Sequence, residues 1–145
     1  MTAPSADPAT ADDGLVDALA EAAFATMGLL TRVSAEHGIS LTLLRVLAIL
    51  RDRRLGVTAL ADHLGLEKST MSGLIDRAQR RGLVVREPRR EDARAVDVVL
   101  TAAGRELAER GADEVRRMVA TMTTGLSVAE RRRLQALLER VVRPL

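Results

Sequence analysis

Cysteine is absent from the chain. Its absence excludes a disulfide framework, a thiolate zinc site, a cysteine nucleophile and thiol redox sensing. Tryptophan and tyrosine are also absent, and Phe24 is the single aromatic residue. Recognition of nucleic acid by stacking bases on aromatic platforms is therefore excluded. Histidine is limited to His37 and His63, too few for a histidine-rich metal site. His37, just before Gly38, reads as a helix C-terminal cap or dipole partner, and His63 as an exposed polar residue. No uninterrupted apolar run reaches the roughly 18 residues of a membrane-crossing helix. The opening Met1-Thr2-Ala3-Pro4-Ser5-Ala6-Asp7 lacks the basic-then-apolar pattern of a signal peptide. A soluble, cytoplasmic chain with no membrane partner is expected. There is no glycine-rich phosphate loop before Lys68 and no His-Glu-x-x-His pair, so neither a cofactor, a metal nor an enzymatic activity is expected.

What is present is ordinary for a globular protein. The 145 residues are 47% hydrophobic and 29% charged, enough for one domain with its own core. The net charge of +2 says little, but its distribution is uneven. Of 22 basic residues all but Lys68 are arginine, whose planar fork suits phosphates and base edges. Between Lys68 and Arg94 the balance is net +4, whereas the first thirteen residues carry Asp7, Asp12 and Asp13.

Residues 1–13 lack periodicity and read as a disordered tail, with a single domain over 14–145. From Leu15 the steps Val16, Ala20, Ala23, Met27 and Leu30 are helical, widened by Leu15, Leu19 and Val33, until Gly38 stops the helix. A second helix after Ser40 is apolar at Leu41, Leu44, Leu47, Ala48 and Leu50, a face broad enough for a buried central helix. Two short helices follow. Thr58 is the expected cap of the first, Ala59 to Leu64, ended by Gly65; the second runs from Lys68 to Arg81 with Met71, Leu74, Ile75 and Ala78 on its buried face. The period then changes. Val84-Val85-Arg86 and Val96-Asp97-Val98-Val99-Leu100 flank a polar segment from Pro88 to Arg94, the pattern of a two-stranded hairpin with a charged tip. Thr101 is placed to cap a long helix with the stripe Leu107, Gly111, Val115, Met118 and Met122. Ser127-Val128-Ala129-Glu130 has the capping-box form and opens a last helix bearing Leu134, Leu137, Leu138, Val141 and Val142.

Two short helices joined by a tight turn and followed by a basic hairpin form the layout of a winged helix-turn-helix. The fold class expected is mainly α with a small β-hairpin wing, the winged helix-turn-helix lying at about 40–101 and terminal helices at about 14–37 and 102–143. The first and last helices bear apolar stripes that one compact body of this size cannot easily cover, so dimerisation through them is expected. Opposite the buried face of the second short helix lie Ser69, Thr70, Ser72, Gly73, Asp76, Arg77 and Arg80, with Lys68 at its start as a further candidate contact. These are the small polar and basic groups a major-groove helix needs, with Gly73 allowing close backbone approach. The wing carries Arg86, Arg89, Arg90, Asp92 and Arg94. An arginine-tipped loop suits a narrow minor groove, and Asp92 is placed to orient Arg94. A bland alternative, a solvated helix face and a polar turn, gives a winged-helix protein-interaction module without specific DNA binding.

The sequence resembles the multiple-antibiotic-resistance regulator (MarR) family of bacterial transcription factors, from about residue 14 to 143. The resemblance rests on Leu41-Thr42 before Val46-Leu47, Leu60-Ala61 with Leu64-Gly65, and Ser69-Thr70-Met71. It continues through Asp76-Arg77, Arg81-Gly82-Leu83-Val84, Arg86, Asp92-Ala93-Arg94, Leu100-Thr101-Ala102-Ala103-Gly104 and Leu126-Ser127-Val128-Ala129-Glu130. It implies a homodimer binding a pseudo-palindromic double-stranded operator, usually as a repressor, often relieved by a small ligand held between the dimer helices and the DNA-binding lobe. Near that place Met27, Leu47, Met118 and Met122 offer an adaptable apolar lining. Ala93 stands where members commonly carry arginine, Gly73 where a longer polar side chain is frequent, and Ala78 where leucine is usual. The lack of cysteine excludes the family's peroxide-sensing branch.

Overall fold

The computed structural model describes residues 8–143, with side chains from residue 13 onward. Helix α1 (Pro8–Glu36) leads into α2 (Leu41–Leu50), α3 (Val57–Leu64) and α4 (Lys68–Arg80). The strands β1 (Val84–Pro88) and β2 (Val96–Leu100) follow, then α5 (Ala102–Met122) and α6 (Val128–Val142). The fold is mainly helical with a two-stranded wing, as the periodicities imply.

Helix α1 starts earlier than expected. Pro8 occupies its first position, where a fixed φ and a missing N–H cost nothing, and Ala9 and Ala11 are strong helix formers. The expected tail over 1–13 therefore does not extend past residue 7, and its remaining part lies outside the described residues. The chain leaves α1 through Gly38, left-handed at φ 64°, with Ile39 N–H donating to Ser34 O at 3.0 Å. The Asp13–Glu36 stretch is long and apolar enough, by length and composition, to cross a membrane. The sequence expectation counted only uninterrupted apolar runs, and Asp17 and Glu21 break this one.

Ser40 caps α2, its hydroxyl accepting from Leu43 N at 3.1 Å. As its broad apolar face implies, α2 is the central helix: Leu43, Leu44, Val46, Leu47 and Leu50 are all buried. Around them pack Leu29 and Val33 of α1, Leu60 of α3, Met71, Leu74, Ile75 and Ala78 of α4, Val84 and Val98 of the wing, and Leu107 of α5. The strands pair antiparallel from Val84 opposite Leu100 to Pro88 opposite Val96, and Val98 N–H donates to Leu55 O at 2.8 Å, so the α2–α3 connection touches the outer edge of β2.

The predicted cap of the first short helix is displaced. Helix α3 begins at Val57 with Gly56 at the N-cap and no side-chain cap, so Thr58 lies inside the first turn. A Cβ at Gly56 would lie 3.1 Å from Val96 O, and this contact with the wing decides where the helix can start. Thr101 caps α5 as expected, accepting from Gly104 N at 3.0 Å, and its hydroxyl also donates to Gly82 O at 2.6 Å. The capping box of α6 is formed in both directions: Glu130 N–H donates to Ser127 Oγ at 3.2 Å and Ser127 N–H to Glu130 Oε2 at 2.7 Å. Hydrogen bonding from Ser127 to the Glu130 carboxyl, its backbone N–H first and its hydroxyl second, holds that carboxyl below its ordinary pKa. No residue of α6 is buried within the protomer.

Candidate nucleic-acid interface

Helix α4 owes its position to its apolar face. Met71 and Ile75 are fully buried, and Gly65, left-handed at φ 65°, turns the chain tightly between α3 and α4. Packing that face inward leaves Lys68, Ser69, Thr70, Arg77 and Arg80 exposed and Ser72 and Gly73 half-buried. The N-cap, Glu67, makes no side-chain hydrogen bond, so the first-turn amides near Ser69 and Thr70 keep their donors for an outside acceptor. The missing Cβ of Gly73 leaves room for Arg77, whose Nη1 lies 3.5 Å from where that Cβ would stand. The residues singled out on this helix thus lie on its side away from the core, exposed except for Ser72 and Gly73.

The five wing residues do not act together. Arg94 is the outermost, its side chain 95% exposed. Its backbone N–H and its Nε both donate to Asp92 Oδ1, at 3.1 and 3.4 Å, so Asp92 orients Arg94 as the sequence suggests. Arg90 is also exposed at the tip. Arg86 is not at the tip. It lies on β1 facing α4, donating from Nη1 to Gln79 Oε1 at 2.6 Å and from Nη2 to Asp76 Oδ1 at 2.8 Å. Arg89 is paired at the wing base although its side chain stays 44% exposed, with Nε and Nη2 at 3.1 and 3.0 Å from Asp97 Oδ1. The expectation of four arginines around a free loop reduces to two, because acids on facing elements claim the others.

A hollow of about 550 Å³ separates wing from helices, bordered by Thr58 and Asp62 of α3, Lys68 at the start of α4, and Arg86, Arg89 and Val96 of the wing. Helix α3 and the hairpin flank it like the sides of a groove.

The ligand-pocket residues are not brought together. Leu47 is fully buried in the core, and Met27 is half-exposed on α1. Only Met118 and Met122 share a hollow, with Phe24, Gly28, Leu29 and Arg32. A different one lies between α1, α2 and α5: about 290 Å³, walled by Leu30, Leu41, Leu44, Ala108 and Val115, with Arg45, Arg51 and Arg116 also facing it. His37 does not cap its own helix by charge alone. Its Nε2 lies 3.1 Å from Glu114 Oε1, joining the end of α1 to α5, and His63 is exposed as expected.

Sequence reasoning missed three contributors. Asp97 is 4% exposed and anchors the wing base. Arg54 donates from Nη1 to Glu87 Oε2 at 3.1 Å, tying the α2–α3 connection to β1. A Cβ at Gly104 would fall 1.9 Å from Leu83 O, so only glycine lets α5 close on the turn that launches the wing. An acid among the β-branched residues of β2 was the available signal for Asp97; for Arg54 there was none.

Residues 37–95, which hold α2 to the wing tip, match the sequence profile of the MarR family. That stretch, about two fifths of the chain, is similar to the MarR family. Solved structures agree on the fold. A MarR family protein from Bacillus stearothermophilus superposes with a TM-score of 0.80 at 21% identity, covering 94% of this chain and 96% of that one. CouR from Rhodococcus jostii RHA1, bound to p-coumaroyl-CoA, gives 0.79 at 22% identity over 92% and 95%. Wild-type apo MarR from E. coli gives 0.72 at 24% over 89% and 96%. At such identities the likeness is one of fold. No curated protein matches the chain. The MarR-type wing accounts for the order of elements here: α3 and α4 form the helix-turn-helix, and β1–β2 the wing.

Proposed function

We propose that this chain is a member of the MarR family and a sequence-specific, DNA-binding transcriptional regulator, a homodimer acting as a repressor on a pseudo-palindromic operator. The observation that carries this reading is the outward α4 surface of Ser69, Thr70 and Arg77 beside a wing whose outermost cation, Arg94, is preset by Asp92. A helix of this width enters the major groove, where its hydroxyls and guanidinium meet base edges and phosphates. An oriented arginine at a thin tip suits a narrow minor groove, where the negative potential is strongest. A cytoplasmic location, beside its DNA, belongs to the same reading.

The dimer rests on uncovered apolar surface. Leu15, Val16 and Leu19 on α1 and Leu134, Leu138 and Val141 on α6 are all substantially exposed in the protomer, and a closed two-fold pairing is the commonest way to bury such faces. Two α4 helices related by that axis would meet half-sites about 10 base pairs apart. Selection of bound duplexes from random DNA tests the whole reading. A two-fold symmetric consensus is the expected result, and a library that returns no enriched sequence would overturn it.

The hollow between α1, α2 and α5 is the better effector site than the methionine set. Its apolar wall and its three arginines fit a small molecule with an apolar body and an acidic group. To relieve repression, such a molecule must favour the DNA-incompetent state by about 1–3 kcal/mol. Ala112→Leu, which fills the hollow that Ala112 lines, should abolish thermal stabilisation by aryl and acyl carboxylates while leaving operator affinity intact. Equal stabilisation of both proteins would place the effector elsewhere.

A further inference from the structure

The wing base holds a charge cluster that the DNA-binding reading does not use. Asp97 is the second residue of β2 and only 4% exposed. Oδ1 accepts from Arg89 Nε and Nη2 at 3.1 and 3.0 Å. Oδ2 faces Arg54 Nε at 3.7 Å, and that nitrogen is buried without a hydrogen-bond partner of its own. Arg54 in turn donates from Nη1 to Glu87 Oε2 at 3.1 Å and reaches Pro88 O at 3.5 Å. One buried acid thus meets an arginine from the α2–α3 connection and another from the wing itself, and the first of these also holds β1.

Such an arrangement is costly unless it fixes something, because a buried carboxylate is stable only while both cations stay on it. Here the elements it joins are the two strands of the wing and the connection that feeds α3. The same contact also decides which charges reach outward. Arg89 follows Pro88 at the start of the tip and would otherwise stand with Arg90 and Arg94. Bonded twice to Asp97, it is held at the wing base with its charge offset, although its side chain is still 44% exposed.

We propose that Asp97 is the positioning residue of the wing: by clamping Arg89 and Arg54 it sets the wing against the helix-turn-helix body and restricts the tip's DNA-facing cations to Arg90 and Arg94. Specificity follows from this restriction. A cation free to find any phosphate adds affinity for all sequences alike, whereas one withheld leaves discrimination to the oriented Arg94 and to α4.

This inference rests on the DNA-binding reading for its consequence but not for its mechanism, so two measurements separate them. Amide hydrogen exchange on the free protein reads the clamp without DNA. In Asp97→Asn, which keeps the shape and removes the charge, exchange at Arg89 and Val98, whose N–H groups donate to Ala95 O and Leu55 O, should speed by about tenfold or more while α2 keeps its protection. Unchanged exchange at both amides would overturn the clamp whatever the protein binds. The salt dependence of binding to operator and to random duplex then reads the consequence. Asp97→Asn should steepen the slope by about 0.9 per subunit as Arg89 gains a phosphate, with a lower operator-to-random ratio. Arg89→Gln should loosen the same amides yet leave the slope at its wild-type value. A slope that falls by a full contact in Arg89→Gln shows Arg89 already on DNA and refutes its withdrawal. A wild-type protein with no salt-dependent DNA binding, but with the exchange change in Asp97→Asn, retires the regulator reading and its consequence for specificity while the clamp stands.

Discussion

Gly104 shows how much one missing methyl can carry. Its Cβ would lie 1.9 Å from Leu83 O and 2.9 Å from the Leu83 carbonyl carbon, both backbone atoms that cannot rotate away. Gly104→Ala should therefore lower unfolding stability by at least about 1–3 kcal/mol, the range for overpacking a well-filled site, as read from urea denaturation. Gly14, in α1, has nothing within 4 Å of the corresponding position. Gly14→Ala should stabilise by about 0.5–1 kcal/mol, the ordinary gain in a helix interior. Arg94 is the other residue whose surroundings decide its role. Oriented by Asp92 and otherwise in solvent, it contributes nothing to the core, so Arg94→Ala should leave the melting temperature unchanged. Its loss should weaken DNA binding and reduce the salt slope by about 0.9 per subunit; full affinity at every salt concentration would remove Arg94 from the interface. Ser69 and Thr70 substitutions should instead change base preference, at about 1–3 kcal/mol per good contact.

At the scale of elements, the caps are the places where sequence and structure agree in detail. Ser40, Thr101 and Ser127 each receive the hydrogen bond their positions imply. The capping box of α6 has a pH consequence. Glu130 has a lowered carboxyl pKa in the folded chain because Ser127 donates to it. Its contribution is then fully present above the unfolded glutamate's pKa and disappears as pH falls through the lower folded value. Exchange at the first α6 amides should accelerate over that acidic window in the native protein. In Ser127→Ala the dependence should weaken but persist, since the hydroxyl arm of the box is gone while the backbone N–H, the larger cause, remains. The displaced start of α3 has the opposite lesson. Thr58 has the chemistry of a cap, yet Gly56 takes the position because the wing strand passes within 3.1 Å of its Cβ site.

For the whole molecule the decisive quantity is apolar surface that the protomer does not cover. None of the α6 residues is buried, and Leu134, Leu137 and Leu138 stand about 40% exposed. Sedimentation at micromolar concentration should give twice the 15.6 kDa of one chain. Leu138→Glu should shift the protein to monomer and weaken operator binding together, because two half-sites are then read by separate molecules. A folded monomer of the native protein, binding operator at full strength, would end the dimer reading.

The α4 buried face was legible residue by residue: Met71, Leu74, Ile75 and Ala78 recur at the helical period, and a period is a local property that neighbours in the chain define. The hairpin was legible from the change to β-branched alternation, and the caps from side chains that bond within three residues. Where the arginines point was not. Arg86 and Arg89 lie three residues apart in the same basic run, but strand register turns one toward Asp76 on α4 and the other toward Asp97 on β2. The ligand lining failed for a similar reason, since an apolar methionine or leucine looks the same in the core and at a cavity wall until packing separates Leu47 from Met122. By itself the sequence determined the elements, their order and the outward face of α4, because hydrophobic period and capping act over three or four residues. Only the tertiary structure decided which charges are paired, which glycine is indispensable and which hollow is open. Those depend on contacts between residues far apart in the chain, whose geometry exists only once the helices and the wing have packed.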